Sequence, residues 1–394
     1  MFRSIYLAIL ILASTGLPAS AEEFLPVRNP QHLPAQLPVT RTPIGIAGDY
    51  KPCLVSLPGG ELLLVAFHQV KLEGKEYGPL REDVIFYRST DNGQSWSERE
   101  TTKLVGREPY FSMTSKGTLF ITGHVLAREV RNEHDYLFSC LHRSTDGGRT
   151  WETLPIHATD LPGAPEKEWT HTSRGVCELQ DGTLILGVST KGGYDYLWRS
   201  SDDGKTWDRS LKCTLEGLDT SKLWWPVYAE TVFWQAPSGD LLALFRMDPK
   251  VLPSLSGHSI PENESDQSER LIVLRSTDGG ANWKFDKPLG SFYGEMYPAI
   301  MRIDDRRLLL TFTVRAERKP LGVHAVFGKE TPQGFEFNFD HDRVVIDAKT
   351  PVDQGSGGGF GPTVRLEGGA LATAYSYRGA DGKTRVEVAT WLLP

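Results

Sequence analysis

Charged and phenolic side chains stand at or beside the starts of short apolar segments in this sequence. They are Arg107, Glu108, Arg174, Tyr228, Glu230, Tyr297 and Arg315. An arginine guanidinium binds a carboxylate or a sulfate through two parallel hydrogen bonds. A glutamate can act as a general base or a nucleophile, and a tyrosine can act as a nucleophile. If folding brings these side chains together, they would form a site for an anionic or polar ligand.

The elements that must position them form a repeat of a short strand, a turn and a second apolar strand. Six copies occur, and they start near Pro52, Pro109, Arg174, Thr231, Pro298 and Gly361. A hairpin follows most copies, so each unit holds about four strands. This spacing predicts an all-β fold, a six-bladed β-propeller of four-stranded antiparallel blades. The sixth unit ends after three strands, and we expect a strand from residues 22 to 46 to complete it and close the ring.

A second repeat has a serine, an aspartate, a glycine and a tryptophan at fixed spacing, as in "RSTDGGRTWE" at residues 143 to 152. Its serines are Ser89, Ser144, Ser200 and Ser276. Aspartate followed by glycine favours tight turns, because glycine accepts positive φ and the carboxylate binds nearby amides. Each copy is therefore predicted to be a hairpin tip on the outer strands. The first strands line the channel of a propeller, so this repeat is framework and not the active site.

The second repeat is the Asp-box, and four copies on six predicted blades resemble the sialidase (neuraminidase) superfamily. Ser95 and Asn282 replace threonine in two of the copies. The resemblance covers nearly the whole chain after residue 21. It implies a substrate site at the mouth of the channel. There three arginines would hold the substrate carboxylate, a glutamate would activate a tyrosine nucleophile, and an aspartate would be the acid and base.

Three residues match this pattern in the expected blades. In blade four the superfamily has a glutamate just before the inner strand and an arginine 16 residues later, and Glu230 and Arg246 fit. In blade five, Arg318 of "RKPLG" fits the third arginine. The resemblance therefore implies that Glu230, Arg246 and Arg318 belong to the catalytic site.

Three other parts of the pattern are replaced. Tyr50 stands at the first arginine position, with Lys51 beside it, and Phe360 stands where the nucleophilic tyrosine should begin blade six. The acid is expected near Gly78, where the loop offers Glu73, Glu76, Glu82 and Asp83 instead. We therefore expect a changed substrate or mechanism. Tyr50, Lys51 and Phe360 join the residues of the opening list as candidates for substrate binding.

Three functions remain open at this point. The first is an exo-acting glycoside hydrolase for a terminal acidic or substituted sugar. In it Glu230 is the base or nucleophile, Arg246 and Arg318 hold the anion, and a carboxylate from residues 73 to 83 is the acid. The second is a non-catalytic glycan-binding propeller. The third is a polysaccharide lyase that uses Tyr297 or Tyr228 with an arginine.

The ends and the composition of the chain predict its location. Arg3, an apolar run at residues 5 to 13 and a small-residue segment ending at Ala21 have the order of a cleavable signal peptide. We expect residues 1 to 21 to be removed, the protein to be secreted or periplasmic, and residues 22 to 394 to form one domain. No later apolar run is long enough for a membrane helix.

Charge and metal-binding residues narrow the partners. The chain has 43 basic and 50 acidic residues without clustering, which disfavours nucleic acid as a partner. The histidines show no paired spacing, so no metal and no cofactor are expected. The four cysteines, Cys53, Cys140, Cys177 and Cys213, fit disulfides or buried thiols equally well. The oligomeric state is not determined by the sequence, and a glycan is the expected ligand.

Overall fold

The computed structural model describes residues 23–74, 78–217, 227–247, 270–290, 294–315, 320–347, 349 and 362–393. The predicted signal peptide, Glu76, Arg318 and Phe360 lie outside these described residues. Within the described ranges the regular structure is β, apart from one 3-10 turn at Ala158–Asp160. The same ranges contain no helix with the length and apolarity needed to cross a membrane.

The strands follow the predicted blades in chain order. Blade one contains β3 (Asp49–Ser56), β4 (Leu62–Lys71), β5 (Leu80–Ser89) and β6 (Glu100–Val105). Blade two contains β7 (Arg107–Met113), β8 (Leu119–Val125), β9 (Phe138–Ser144) and β10 (Glu152–Ile156). Blade three contains β11 (Thr170–Thr172), β12 (Cys177–Glu178), β13 (Leu184–Thr190) and β14 (Tyr194–Ser200).

The second half of the ring adds short extra strands. Blade four contains β16 (Val232–Gln235), β17 (Leu241–Met247), β18 (Arg270–Ser276) and β19 (Asn282–Pro288), with β15 (Thr214–Leu215) parallel to β19. Blade five contains β20 (Glu295–Arg302), β21 (Arg307–Val314), β22 (Gly322–Thr331), β23 (Gly334–Phe337) and β24 (Arg343–Val345). Blade six contains β25 (Thr363–Arg365), β26 (Leu371–Arg378), β27 (Thr384–Trp391) and β2 (Gln36–Ile44).

The N-terminal strands close the ring, as predicted. β2 pairs antiparallel with β27, from Val39 opposite Trp391 to Ile44 opposite Val386. The first strand, β1 (Glu23–Arg28), pairs with β2 and also with β24 of blade five. Backbone hydrogen bonds therefore join the two ends of the chain in one blade.

The core consists of apolar layers between neighbouring blades. Successive side chains of a strand point to opposite faces, so each blade offers an apolar face to both neighbours. The described residues form six buried clusters, one for each neighbouring pair of blades, including blades six and one. Trp198, Trp283 and Trp391 are among the largest fully buried side chains. The predicted β-propeller is confirmed.

Blade three departs from the predicted four regular strands. Its outer segment makes only isolated bridges, between Tyr196 and Lys212 and between Arg199 and Asp208. The Asp208 carboxylate accepts a hydrogen bond from the backbone N–H of Ser210 at 2.9 Å. Asp208 nevertheless exchanges both of its backbone hydrogen bonds with Arg199, at 2.7 and 3.0 Å, so the outer segment stays attached to β14.

The Asp-boxes are the hairpin tips that the sequence predicts. The Asp146 carboxylate accepts hydrogen bonds from the Thr150 backbone N–H at 2.9 Å, from the Thr150 hydroxyl at 2.6 Å and from the Ser144 hydroxyl at 2.8 Å. Where threonine is replaced, Asn282 still donates from its amide to Asp278 at 2.6 Å. All four boxes follow the third strands, at the end of the blades opposite to the starts of the inner strands.

Replacing Asp146 with alanine should lower the stability and leave the function unchanged. The Thr150 and Ser144 donors lose their acceptor, which costs about 1 kcal/mol because the turn is exposed to water. The free energy of unfolding is measured by urea denaturation, with Asp181→Ala in another surface turn as the control. A change in ligand binding without a change in stability would contradict the framework role.

Candidate functional site

Four residues at or just before the starts of inner strands share an unusual backbone conformation. Lys51, Glu108, Glu230 and Tyr297 have φ of 47°, 55°, 65° and 57°. This left-handed region is uncommon outside glycine and clusters at functional sites. Three of the four precede a proline, and the strand pairing shifts by a bulge at each of these three. A proline suits a bulge because it has no N–H to give to the ladder.

These residues meet in one group at the starts of the inner strands. We call it the mouth cluster, and it consists of Lys51, Arg107, Glu108, Arg174, Glu230, Arg246, Tyr297 and Arg315. The structure thus brings together most of the residues that the sequence singled out, from blades one, two, three, four and five.

Glu230 lies between two arginines. Its carboxylate oxygens are 2.6 Å from Arg246 Nη1 and 3.1 Å from Arg174 Nη2. The side chains of both arginines are almost fully buried, with 7% and 3% exposed. Burial alone would raise the pKa of Glu230, but attraction to Arg246 and Arg174 outweighs burial and lowers it. Glu230 is therefore an anion at neutral pH.

Glu108 is the second anion of the mouth cluster. It accepts a short hydrogen bond from Lys51 Nζ and lies 3.9 Å from Arg107 Nε and 4.0 Å from Arg174 Nη1. Burial opposes its ionisation, but attraction to Lys51 and the arginines holds the pKa of Glu108 well below its ordinary value. Arg174 thus approaches both carboxylates and ties blade two to blade four.

Tyr297 lies among the cations and is 4% exposed. Arg315 Nη1 donates a hydrogen bond to the Tyr297 hydroxyl at 2.7 Å. The ring centroid is 4.7 Å from Arg174 Cζ and 5.0 Å from Lys51 Nζ. Burial and the charge of Glu230 raise the pKa of Tyr297 above its ordinary value. The phenol therefore keeps its proton at neutral pH.

Tyr50 belongs to the wall of the site beside the cluster. Its ring lies 5.6 Å from that of Phe67, and Lys51 Nζ is 5.5 Å from the Tyr50 ring centroid. Arg107 Cζ lies 5.6 Å from the Phe67 ring on the same wall. Lys51 occupies the place near the carboxylates, so the lysine and not Tyr50 supplies a charge there.

The carboxylates of residues 73 to 83 do not join the mouth cluster within the described residues. Glu82 is fully buried beside Arg107, with Oε1 3.6 Å from Arg107 Nε, and burial raises its pKa. Asp83 binds Arg81 and Arg131, and Glu73 is exposed. Glu76 lies outside the part of the chain that the structure describes.

The structure does not bring Tyr228 to the mouth. Tyr228 is 2% exposed in the core between blades three and four, with its ring 5.6 Å from that of Phe233. Gly187 makes room for it, because a Cβ there would lie 2.7 Å from the Tyr228 ring. Tyr228 and Glu230 share a turn before β16, and the left-handed Glu230 backbone lets the two side chains take different directions.

Two histidines near the cluster were missed by the sequence analysis. The rings of His124 and His171 are 5.1 Å apart, and His124 lies opposite Arg107 in the β7–β8 ladder. Burial lowers the pKa of both, that of His171 to about 4, so both are neutral at neutral pH. The sequence signal that could have identified His124 was its position at the mouth end of the strand that pairs with Arg107. Neutral imidazoles can bind sugar hydroxyls.

A buried carboxyl on β14 of blade three predicts a pH-dependent stability. Asp195 is 2% exposed, and its Oδ1 makes no hydrogen bond among the described residues. Burial raises its pKa from 3.8 to about 7. The folded state holds this proton more tightly, so stability is greatest below the ordinary aspartate pKa and falls as the pH rises towards 7.

We expect Asp195→Asn to be about 4 kcal/mol more stable than the wild type near pH 8 and nearly equal to it near pH 4, because each pKa unit corresponds to about 1.4 kcal/mol. Urea denaturation at several pH values measures this difference. Asp305→Asn, in an exposed turn of blade five, is the control. A difference that does not change with pH would contradict the burial of an ionisable Asp195.

Metal ligands and disulfides are not seen in the described part of the chain. No group of three or more histidines, cysteines, aspartates or glutamates there could hold a metal ion. The four cysteines are free thiols, and three of them are buried. Of the two alternatives left open for them, the structure shows the thiols.

Comparisons with known proteins agree with the repeat and the fold. The BNR/Asp-box repeat model matches residues 87–98. A xyloglucanase of Acetivibrio thermocellus is 26% identical over 210 residues, which is 50% of this chain and 22% of the relative. The chain thus matches about a fifth of the length of that relative.

Two solved structures cover most of the chain. A protein of unknown function from Dyadobacter fermentans is 18% identical with a TM-score of 0.64, over 96% of this chain and 100% of that chain. The intramolecular trans-sialidase from Ruminococcus gnavus, in complex with oseltamivir carboxylate, is 12% identical with a TM-score of 0.59, over 88% of this chain and 94% of that chain. The resemblance to the sialidase superfamily is confirmed in the Asp-box repeat and in the β-propeller fold.

Proposed function

We propose that this protein is an exported, exo-acting glycoside hydrolase for a terminal acidic sugar. The observation that carries the proposal is the charge of the mouth cluster. Five cations, Lys51, Arg107, Arg174, Arg246 and Arg315, surround the carboxylates of Glu108 and Glu230, with Glu82 behind Arg107. Within the mouth cluster, five positive and two negative groups leave an excess of three positive charges, which favours a ligand with a carboxylate or a sulfate.

We assign Glu230 the role of base or nucleophile in the reaction at the anomeric carbon. It is ionised, partly exposed and held by Arg174 and Arg246, so it has the charge and the fixed position that a base or nucleophile needs. Arg246 and Arg315, together with Arg318 from the sequence match, are proposed to hold the substrate anion. His124 and His171 are proposed to contact sugar hydroxyls.

The reaction proposed here differs from that of the superfamily in its nucleophile. Phe360 replaces the tyrosine of blade six, and a phenyl ring cannot attack an anomeric carbon. Tyr228 is in the core, and Tyr297 keeps its proton. Direct action of Glu230, on water or on the anomeric carbon, is therefore the mechanism that we propose.

The test is the release of free sugar from a panel of sialylated, uronate-bearing and sulfated glycans, with the products analysed by mass. The proposal predicts release of a terminal acidic sugar, with the water mass added. An unsaturated product absorbing in the ultraviolet would instead support the lyase. Binding without any product would support a non-catalytic glycan-binding protein. An unsaturated product, or binding without a product, would overturn the proposed hydrolase function.

A further inference from the structure

The mouth cluster has anions ready to act as a base, but its proton donor is not evident among the carboxylates. Breaking a glycosidic bond requires a proton for the leaving oxygen. Glu108 and Glu230 are both ionised. Glu82 is fully buried beside Arg107, and Asp83 lies between Arg81 and Arg131. Of these four carboxylates, three have lowered pKa values and the fourth, Glu82, is not exposed, which points to a donor other than these four.

Lys51 has the position that such a donor requires. Its side chain is 6% exposed, and its ammonium group donates to Glu108 and lies over the ring of Tyr297. The strained backbone, with φ of 47°, and the following bulge turn the lysine into the cluster. The Lys51 ammonium group is thus held inside the cluster that we propose as the substrate site.

The environment also favours proton transfer. Burial lowers the pKa of Lys51 to about 8, with Arg315 and Arg107 acting in the same direction and Glu108 and Glu230 opposing them. A general acid works best when its pKa lies near the pH of the reaction. The Tyr50 and Tyr297 phenols, which also face Lys51, have raised pKa values and hold their protons more tightly.

We propose that Lys51 is the general acid of this site, an assignment that rests on the proposed hydrolase function. As the glycosidic C–O bond breaks, its electron pair stays on the leaving oxygen, which takes a proton from the Lys51 ammonium. A water oxygen bonds to the anomeric carbon, and one water proton passes to Glu230. That proton is then lost to solvent, and the Lys51 amine takes one up, which restores the site.

The test compares leaving groups that need a proton with those that do not. Dinitrophenyl and methyl glycosides of sialic acid and of glucuronic acid are the substrates. Lys51→Arg keeps the charge and the pairing with Glu108, but arginine does not release a proton near neutral pH. We expect kcat for the methyl glycoside to fall about 10²–10⁴-fold, and kcat for the dinitrophenyl glycoside to fall about tenfold or less.

A pH profile gives a second readout. The donor must be protonated, so wild-type activity on the methyl glycoside should fall as the pH rises through about 8. This fall should be absent in Lys51→Arg. Lys51→Met is the second variant, and its unfolding and sugar binding show whether the fold survives the loss of charge.

Controls separate this assignment from others. Lys329→Arg changes a lysine that pairs with Glu336 at 2.9 Å on the exposed side of blade five, and should change neither substrate's rate. Equal loss on both substrates in Lys51→Arg would overturn the assignment. A loss confined to the methyl glycoside in Tyr297→Phe but not in Lys51→Arg would assign the donor to Tyr297 instead. No hydrolysis of either substrate by the wild type would refute the proposed function and this assignment with it.

Discussion

Replacing Glu230 with glutamine is expected to abolish turnover while glycan binding survives. Glutamine has nearly the same shape, but it carries no negative charge and can neither accept a proton nor attack carbon. We expect kcat to fall about 10³-fold or more, with a small change in Kd. Arg246 and Arg315 remain in place to hold the substrate anion, which is why binding should persist.

The measurement is kcat and KM on the glycan that the wild type hydrolyses, with Kd determined by calorimetry. Glu152→Gln is the matched control, because the Glu152 side chain is 81% exposed next to an Asp-box at the opposite end of blade two. Turnover within tenfold of the wild type would remove Glu230 from the mechanism. Loss of binding together with turnover would assign Glu230 to substrate recognition.

Replacing Arg246 with alanine is expected to destabilise the protein by about 2–3 kcal/mol, because Glu230 loses one charged hydrogen bond and keeps Arg174. The substitution removes a group that is 2.6 Å from the buried Glu230 carboxylate and leaves that charge with Arg174. It should also weaken binding of an acidic sugar, because the cluster loses one cation. Urea denaturation measures the first effect and calorimetry the second.

Two comparisons isolate the ion pair between Arg246 and Glu230. Arg275→Ala removes an arginine that pairs with Asp240 and Asp286 at a more exposed position, and should cost about 1 kcal/mol or less. In a Glu230→Gln background, Arg246→Ala should cost much less, because no buried anion remains. Equal losses in both backgrounds would contradict a strong pair between Arg246 and Glu230.

The pH dependence of the same variant follows from the pKa of Glu230. The folded state lowers this pKa, so the pair contributes stability above the ordinary glutamate pKa of 4.5, and this contribution is lost as the pH falls below that value. Stability of Arg246→Ala should therefore fall less on acidification than that of the wild type. Parallel pH curves would show that the pair does not determine the pKa.

Local chemistry explains what the sequence determined by itself. Aspartate-glycine turns and alternating apolar residues act over a few positions, so they predicted the Asp-boxes, the strands and the closing strand β2. The interval from Glu230 to Arg246 spans one hairpin, and the match to the superfamily placed both residues in blade four. The structure joins them across that hairpin.

Contacts between blades were decided by the tertiary structure. Lys51 meets Glu108, and Arg174 meets Glu230, only because the ring places the starts of different inner strands side by side. Tyr228 and Tyr297 both stood near strand starts, yet Tyr228 fills the space that Gly187 leaves in the core, and Tyr297 lies among the cations.

The same limit applies to the acid and the histidines. The sequence offered Glu82 as the acid, but in the structure Glu82 is fully buried beside Arg107. The sequence analysis missed His124 and His171, whose rings come into contact from two different blades. Alternation along a strand shows which face a side chain takes, but not which neighbour it meets when the blades close into a ring. The local sequence therefore determines the strands and turns of the β-propeller. The packing of the blades against one another determines which side chains form the site.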